Sequence, residues 1–165
     1  MRFVAHAGQG TLNQVGQQDN SGVVDVIDRP KSIELTLAPE PGSVARARGF
    51  LTDTLRRWSV PEETELVARL ALSELVTNAV VHASTDLVVR VRPDDDGIWV
   101  GVSDQNRELP VVREAPGEGL GGRGLAIVAA VARRWGVDRR FSRRGKTVWF
   151  TVSVPGGAPR SGSAR

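Results

Sequence analysis

The chain has 165 residues, 40% of them hydrophobic and 25% charged, which suits one globular domain with a real core. It has no cysteine, which excludes disulfides, thiolate metal sites and cysteine catalysis. The formal net charge is only +3, and the pI near 10.4 reflects arginine, since all but Lys31 and Lys146 of the 22 basic residues are Arg.

A charge of that size does not argue for nucleic-acid binding. No apolar run approaches the roughly 18 residues of a membrane span. The opening Met1-Arg2-Phe3-Val4-Ala5-His6 leads into Gly, Gln and Asn, so no secretory signal is supported and a cytoplasmic location is expected.

Residues 1–30 are rich in Gly, Gln, Asn and Asp and read as a flexible leader, with Val23-Val24-Asp25-Val26-Ile27 as a short apolar run. The folded domain is expected over 31–154, and 155–165 reads as a flexible tail on composition. Ser32–Leu37 alternates as a strand and ends at Pro39 and Pro41. Val44, Ala47, Leu51, Leu55 and Trp58 recur at helical spacing and predict a helix over 42–58. Pro61, Glu62 and Glu63 open a second helix to about Ala83, with Leu66, Leu70, Leu75 and Val81 as its expected buried side.

Leu87–Arg92 and Ile98–Ser103 predict a hairpin around a turn at Pro93-Asp94-Asp95-Asp96-Gly97. Residues 105–123 have no steady period, and loops beyond roughly 12–15 residues are usually functional or disordered. A third helix is expected from Leu125 to Trp135, then strands near 137–142 and 147–154. The fold class that follows is a two-layer α/β (α+β) sandwich, with antiparallel strands covered by helices on one face.

Four places could carry chemistry. Glu74 and Asn78 are four residues apart and share a helix face, where a carboxylate and an amide amid apolar residues need a partner or a ligand. Asn78 could hold Mg²⁺ through its side-chain oxygen, and Glu74 could take a proton from an attacking hydroxyl. The plain alternative is a solvated pair at a helix edge. His82, four residues further on, could reach the same place or cap its helix. Asp104 ends a strand beside the long loop, where it could accept a hydrogen bond from an adenine amine or cap the loop.

Five glycines, Gly117, Gly119, Gly121, Gly122 and Gly124, crowd around Arg123 and run straight into an apolar helix at Leu125. Exposed amides at a helix N-terminus make a phosphate seat, and Arg123 could add a charged fork. The alternative is a flexible linker. Neither a Walker A loop nor a dinucleotide fingerprint is present. In Gly145-Lys146-Thr147, Thr147 could hydrogen-bond a base or a water, and Lys146 is expected in solvent.

In this order the segments resemble the ATP-binding domain of histidine kinases, gyrase and heat-shock chaperones, the histidine kinase-like ATPase or Bergerat fold. The chain is most similar to bacterial anti-sigma-factor serine/threonine kinases and related regulatory ATP-binding proteins of actinomycetes. Leu72–Ala83 resembles the first motif of that family, which implies a general base at Glu74 and a Mg²⁺-holding amide at Asn78. Asp104 resembles the aspartate that binds the adenine amine. Gly122-Arg123-Gly124-Leu125 resembles the glycine motif that wraps the phosphates. Gly145-Lys146-Thr147 resembles the last motif, whose threonine, here Thr147, helps hold adenine.

One departure stands out. The family has glycine two residues after the aspartate, where this chain has Asn106, a residue type that tolerates positive φ. Arg107 and Glu108 also replace small residues in a short lid. The resemblance implies ATP and Mg²⁺ as cofactors, a kinase that phosphorylates an anti-sigma-antagonist protein, sequesters a sigma factor, or does both, and a homodimer. A non-catalytic, nucleotide-gated protein-binding module is the alternative. Arg133, Arg134, Arg139, Arg140, Arg143 and Arg144 lack any base-reading motif beside them, so no specific nucleic acid is expected.

Overall fold

The computed structural model describes residues 32–95, 97–109, 123–139, 145–157 and 159. Five strands and three helices follow in the order β1 (Ile33–Leu37), α1 (Gly42–Arg57), α2 (Glu62–His82), β2 (Leu87–Asp94), β3 (Gly97–Asp104), α3 (Gly124–Val131), β4 (Arg134–Asp138) and β5 (Lys146–Ser153). The sheet order is β1-β2-β3-β5-β4, and each neighbouring pair is antiparallel. The leader expected over 1–30 lies outside the described residues.

Strand alternation decides which residues meet the helices. Leu87, Val89 and Val91 of β2, Ile98, Val100 and Val102 of β3, and Val148, Phe150 and Val152 of β5 join one core with α1, α2 and α3. The other face carries Trp99 and Trp149, whose rings lie 6.4 Å apart at 25°, with the Arg92 guanidinium 4.7 Å from the Trp99 ring. The result is the two-layer arrangement expected, with helices on one side.

Helix α1 ends where Ser59 takes a left-handed φ of 54° and Pro61 bars further helix. Arg56 and Arg57 sit in its last turn, and Glu62, Glu63 and Glu65 in the first turn of α2, each on the side its helix dipole favours. Buried Glu65 ties the two helices together. Its carboxylate accepts from Thr52 Oγ1 at 2.9 Å and Arg56 Nε at 3.3 Å, with Arg69 3.6 Å away.

The face α2 buries differs from the expected one. Ala68, Ala71, Leu72, Leu75, Val76 and Ala79 meet the core, whereas Leu66, Leu70 and Val81 are 54%, 45% and 64% exposed. Only Leu75 of the four expected residues is inside. Apolar and polar residues are spread round the helix without a clear stripe, so its sequence does not fix a phase, and small alanines let it lie close to the sheet.

A second correction concerns α3. It stops at Val131, Ala132 turns extended with ψ 144°, and Trp135 lies in β4 opposite Phe150. A continuous apolar run does not separate helix from strand by period alone, and pairing to β5 decides it. Strand β4 is therefore Arg134–Asp138 rather than 137–142, and residues 140–142 of that expected strand lie outside the described residues.

Candidate nucleotide site

Helix α2 presents Glu74 and Asn78 on the flank of its buried face, towards the start of α3. Both are half-buried, and neither side chain forms a hydrogen bond or ion pair among the described residues. The contact that brings α3 to them is made by Gly124. A Cβ at that position would stand 2.8 Å from Glu74 Oε2, 3.1 Å from Asn78 Nδ2 and 3.3 Å from Glu74 Cβ. Any side chain at 124 would press on the acid and the amide where they now stand. Arg123 directly precedes the helix and is exposed, while Leu125 is 3% exposed and anchors α3 in the core. Gly122, with Gly117, Gly119 and Gly121, lies outside the described residues.

The other end of the site is built at the close of β3. Asp104 is 4% exposed, and its Oδ1 accepts from the Asn106 backbone N–H at 2.8 Å and from Lys146 Nζ at 2.9 Å. Lys146 Nζ also donates to the Asn106 carbonyl at 3.1 Å. The loop after β3 is pinned to the end of α2 and the turn behind it. Asn106 Nδ2 donates to the His82 carbonyl at 2.9 Å, and the Gln105 N–H donates to Thr85 Oγ1 at 3.1 Å. Asn106 Oδ1 accepts from the Glu108 N–H at 2.9 Å. Asn106 has no positive φ, so at this position the side chain serves as a brace between loop and helix. The imidazole of His82 is at the surface, and its backbone carbonyl does the work.

Lys146 was expected in solvent and is 6% exposed. The register of β3 against β5 sets Lys146 opposite Asp104 and Thr147 opposite Ser103. Alternation then sends Thr147 to the sheet face away from α2, where its Oγ1 lies 2.7 Å from Ser103 Oγ. The structure thus brings Glu74, Asn78 and Gly124 together, and separately Asp104, Asn106 and Lys146, with the end of α2 joining the two groups. Thr147 supports this arrangement from behind. The antiparallel pairing of β3 with β5 was the signal that could have found Lys146, as was its rarity in a chain that otherwise uses arginine.

Among the described residues no group of three His, Asp or Glu side chains could hold a metal unaided. A hard cation at Asn78 would therefore complete its shell with water and phosphate oxygens, the usual habit of Mg²⁺. Glu74 and Asn78, without partners among the described residues and beside a helix N-terminus, fit such a group.

A family model for the histidine kinase-like ATPase domain matches residues 37–152. The chain belongs to that family. The match takes in every described element from the end of β1 to most of β5. A search of the curated proteins finds no significant match. Among solved structures, the chain is similar to the RsbU and RsbW domains of Rv1364c from Mycobacterium tuberculosis, with a TM-score of 0.55 and 18% identity. The likeness covers 76% of this chain and 33% of that one, and at this identity it speaks for the fold.

Within this ATPase-domain fold the described basic residues near β4 are partly committed. Arg134 Nη2 donates to Asp94 Oδ2 at 2.9 Å, and Arg139 Nη2 to the Arg107 carbonyl at 3.2 Å. No helix among the described residues is long and apolar enough to cross a membrane.

Proposed function

We propose that this histidine kinase-like ATPase domain binds ATP with Mg²⁺ between α2 and the start of α3, and that it is a regulatory serine/threonine kinase of anti-sigma-factor type. The observation that carries the reading is the seating of Gly124 against Glu74 and Asn78. It sets the amides of a helix N-terminus beside a carboxylate and an amide that have no partner among the described residues. Such a helix end attracts phosphate, and exposed Arg123 adds a charged donor at the same place. Gly122, next to it, belongs to the same phosphate seat in this reading. Asp104 would take the adenine amine through its second carboxylate oxygen, and Thr147 holds the strand beneath.

When bound with the nucleotide, Mg²⁺ would supply neutralising charge to the phosphate oxygens, and Asn78 would hold it through its side-chain oxygen. Glu74 then acts on the protein substrate. It accepts the proton of a serine or threonine hydroxyl as that oxygen bonds to the terminal phosphorus and the bond to the leaving ADP breaks. The substrate in this reading is an anti-sigma-antagonist protein, with sequestration of a sigma factor as a second activity, in the cytoplasm. The fold shared with the structure of the RsbU and RsbW domains accords with this reading.

Saturation of Asp104 Oδ1 by Lys146 and Asn106 favours a second reading, in which nucleotide only sets the shape of a protein-binding surface. Turnover separates the two. Glu74→Gln keeps size and one acceptor oxygen but loses basicity. It should retain Mg-ATP binding by calorimetry and lose roughly 10²–10⁴-fold in phosphate transfer to the antagonist. A wild-type chain that binds ATP and phosphorylates no antagonist would favour the binding module, and no binding at millimolar nucleotide would end both readings.

A further inference from the structure

We propose that Lys146 sets base selectivity at this site, and that the Asp104–Lys146 pair admits 6-oxopurine nucleotides alongside adenine nucleotides. The proposal rests on the nucleotide reading above. A lone carboxylate at the base offers only acceptors. Here the carboxylate carries a buried ammonium, with side-chain exposures of 3% for Asp104 and 7% for Lys146 and a contact of 2.9 Å.

The donors and acceptors can be counted. Asp104 Oδ1 receives two N–H groups, from Asn106 and Lys146, which leaves Oδ2 as the acceptor for a ligand. Lys146 Nζ uses two of its three N–H groups, on Asp104 Oδ1 and the Asn106 carbonyl, which leaves one donor. The backbone behind this pair is fixed by a close approach. A Cβ on Gly145 would stand 1.7 Å from the Asp104 carbonyl oxygen, so the residue before the lysine is pressed onto the end of β3. The site therefore offers one acceptor next to one donor.

Adenine presents an N6–H donor beside the N1 acceptor. Hypoxanthine presents the O6 acceptor beside an N1–H donor. Both patterns are complementary to an acceptor–donor pair, with the two protein groups exchanging edge atoms. Without the lysine, O6 would face a carboxylate and find no donor. A buried acceptor left unpaired costs on the order of tenfold to a hundredfold in affinity.

The test uses the full chain and calorimetric titration with Mg-ATP and Mg-ITP, which differ only at the 6-position and the N1 proton. The wild-type chain should bind ITP within about tenfold of ATP. Lys146→Met should lose ITP affinity by a further tenfold or more relative to ATP, and Lys146→Arg, which keeps a donor, should preserve the wild-type ratio. Lys146→Met leaves Asp104 buried without its counter-ion and could fail to fold; the wild-type ratio then decides the matter alone. ATP binding with ITP weaker by more than about tenfold overturns the proposal and leaves the nucleotide reading intact. An unchanged ratio in folded Lys146→Met overturns it as well. Absence of binding for both nucleotides overturns the nucleotide reading and this proposal with it.

Discussion

Substituting Gly124 by alanine should separate stability from ligand binding. The new Cβ would stand 2.8 Å from Glu74 Oε2 and 3.1 Å from Asn78 Nδ2. Ordinary contact requires about 3.4 Å, so the carboxylate end must move by roughly 0.6 Å. Glu74 is half-buried and its tip is flexible, so the chain can accommodate this by a rotamer shift costing about 0.5–1.5 kcal/mol. Position 124 has an ordinary negative φ at the first turn of α3, where alanine recovers up to about 1 kcal/mol of the backbone entropy glycine loses. The two terms nearly cancel, and unfolding free energy by urea denaturation should stay within about 1 kcal/mol of wild type. Function should not stay level, because a 1 Å misplacement of reacting groups can cost about a hundredfold. With the acid displaced by about 0.6 Å and the amide by about 0.3 Å, Mg-ATP affinity and phosphate transfer should fall about tenfold or more. Wild-type Mg-ATP affinity in a folded Gly124→Ala chain would refute the argument that this contact is the phosphate end of the site. A loss of stability above about 3 kcal/mol would instead make the glycine a packing requirement.

Two further substitutions test the packing that positions the site. Leu72→Ala, at 0% exposure, should cost about 2–5 kcal/mol in urea denaturation, whereas Leu70→Ala, at 45% exposure on the same helix, should cost far less. Equal costs would contradict the face assigned to α2. Asn106→Ala removes the donor to the His82 carbonyl and the acceptor for the Glu108 N–H, and should cost about 1–2 kcal/mol while loosening the loop after β3. Hydrogen exchange at the Gln105 and Glu108 amides would show that loosening, and unchanged protection would remove Asn106 as the brace.

Much of the site was legible in the chain because its parts are local. The i, i+4 spacing of Glu74 and Asn78 sets them on one side of any helix they share, and a glycine run entering an apolar helix is the pattern on which the proposed phosphate seat rests. The hairpin leading to Asp104 was legible from alternation and turn chemistry; the observed β2 adds Pro93 and Asp94, and β3 adds Gly97 and Asp104.

What the sequence determined by itself was therefore the order of elements, the two-layer class and the residues carrying acid, amide and glycine. Only the tertiary structure decided three things. Leu66, Leu70 and Val81 face outward because apolar residues lie on every side of α2 among polar ones, and the fit of its alanines to the sheet chooses the phase. Trp135 left the expected helix because pairing with Phe150 in β5 outweighs a helical period that a strand could equally satisfy. Lys146, not Thr147, stands at Asp104 because a strand's period is two, and cross-strand register alone selects which of two adjacent residues faces the helices.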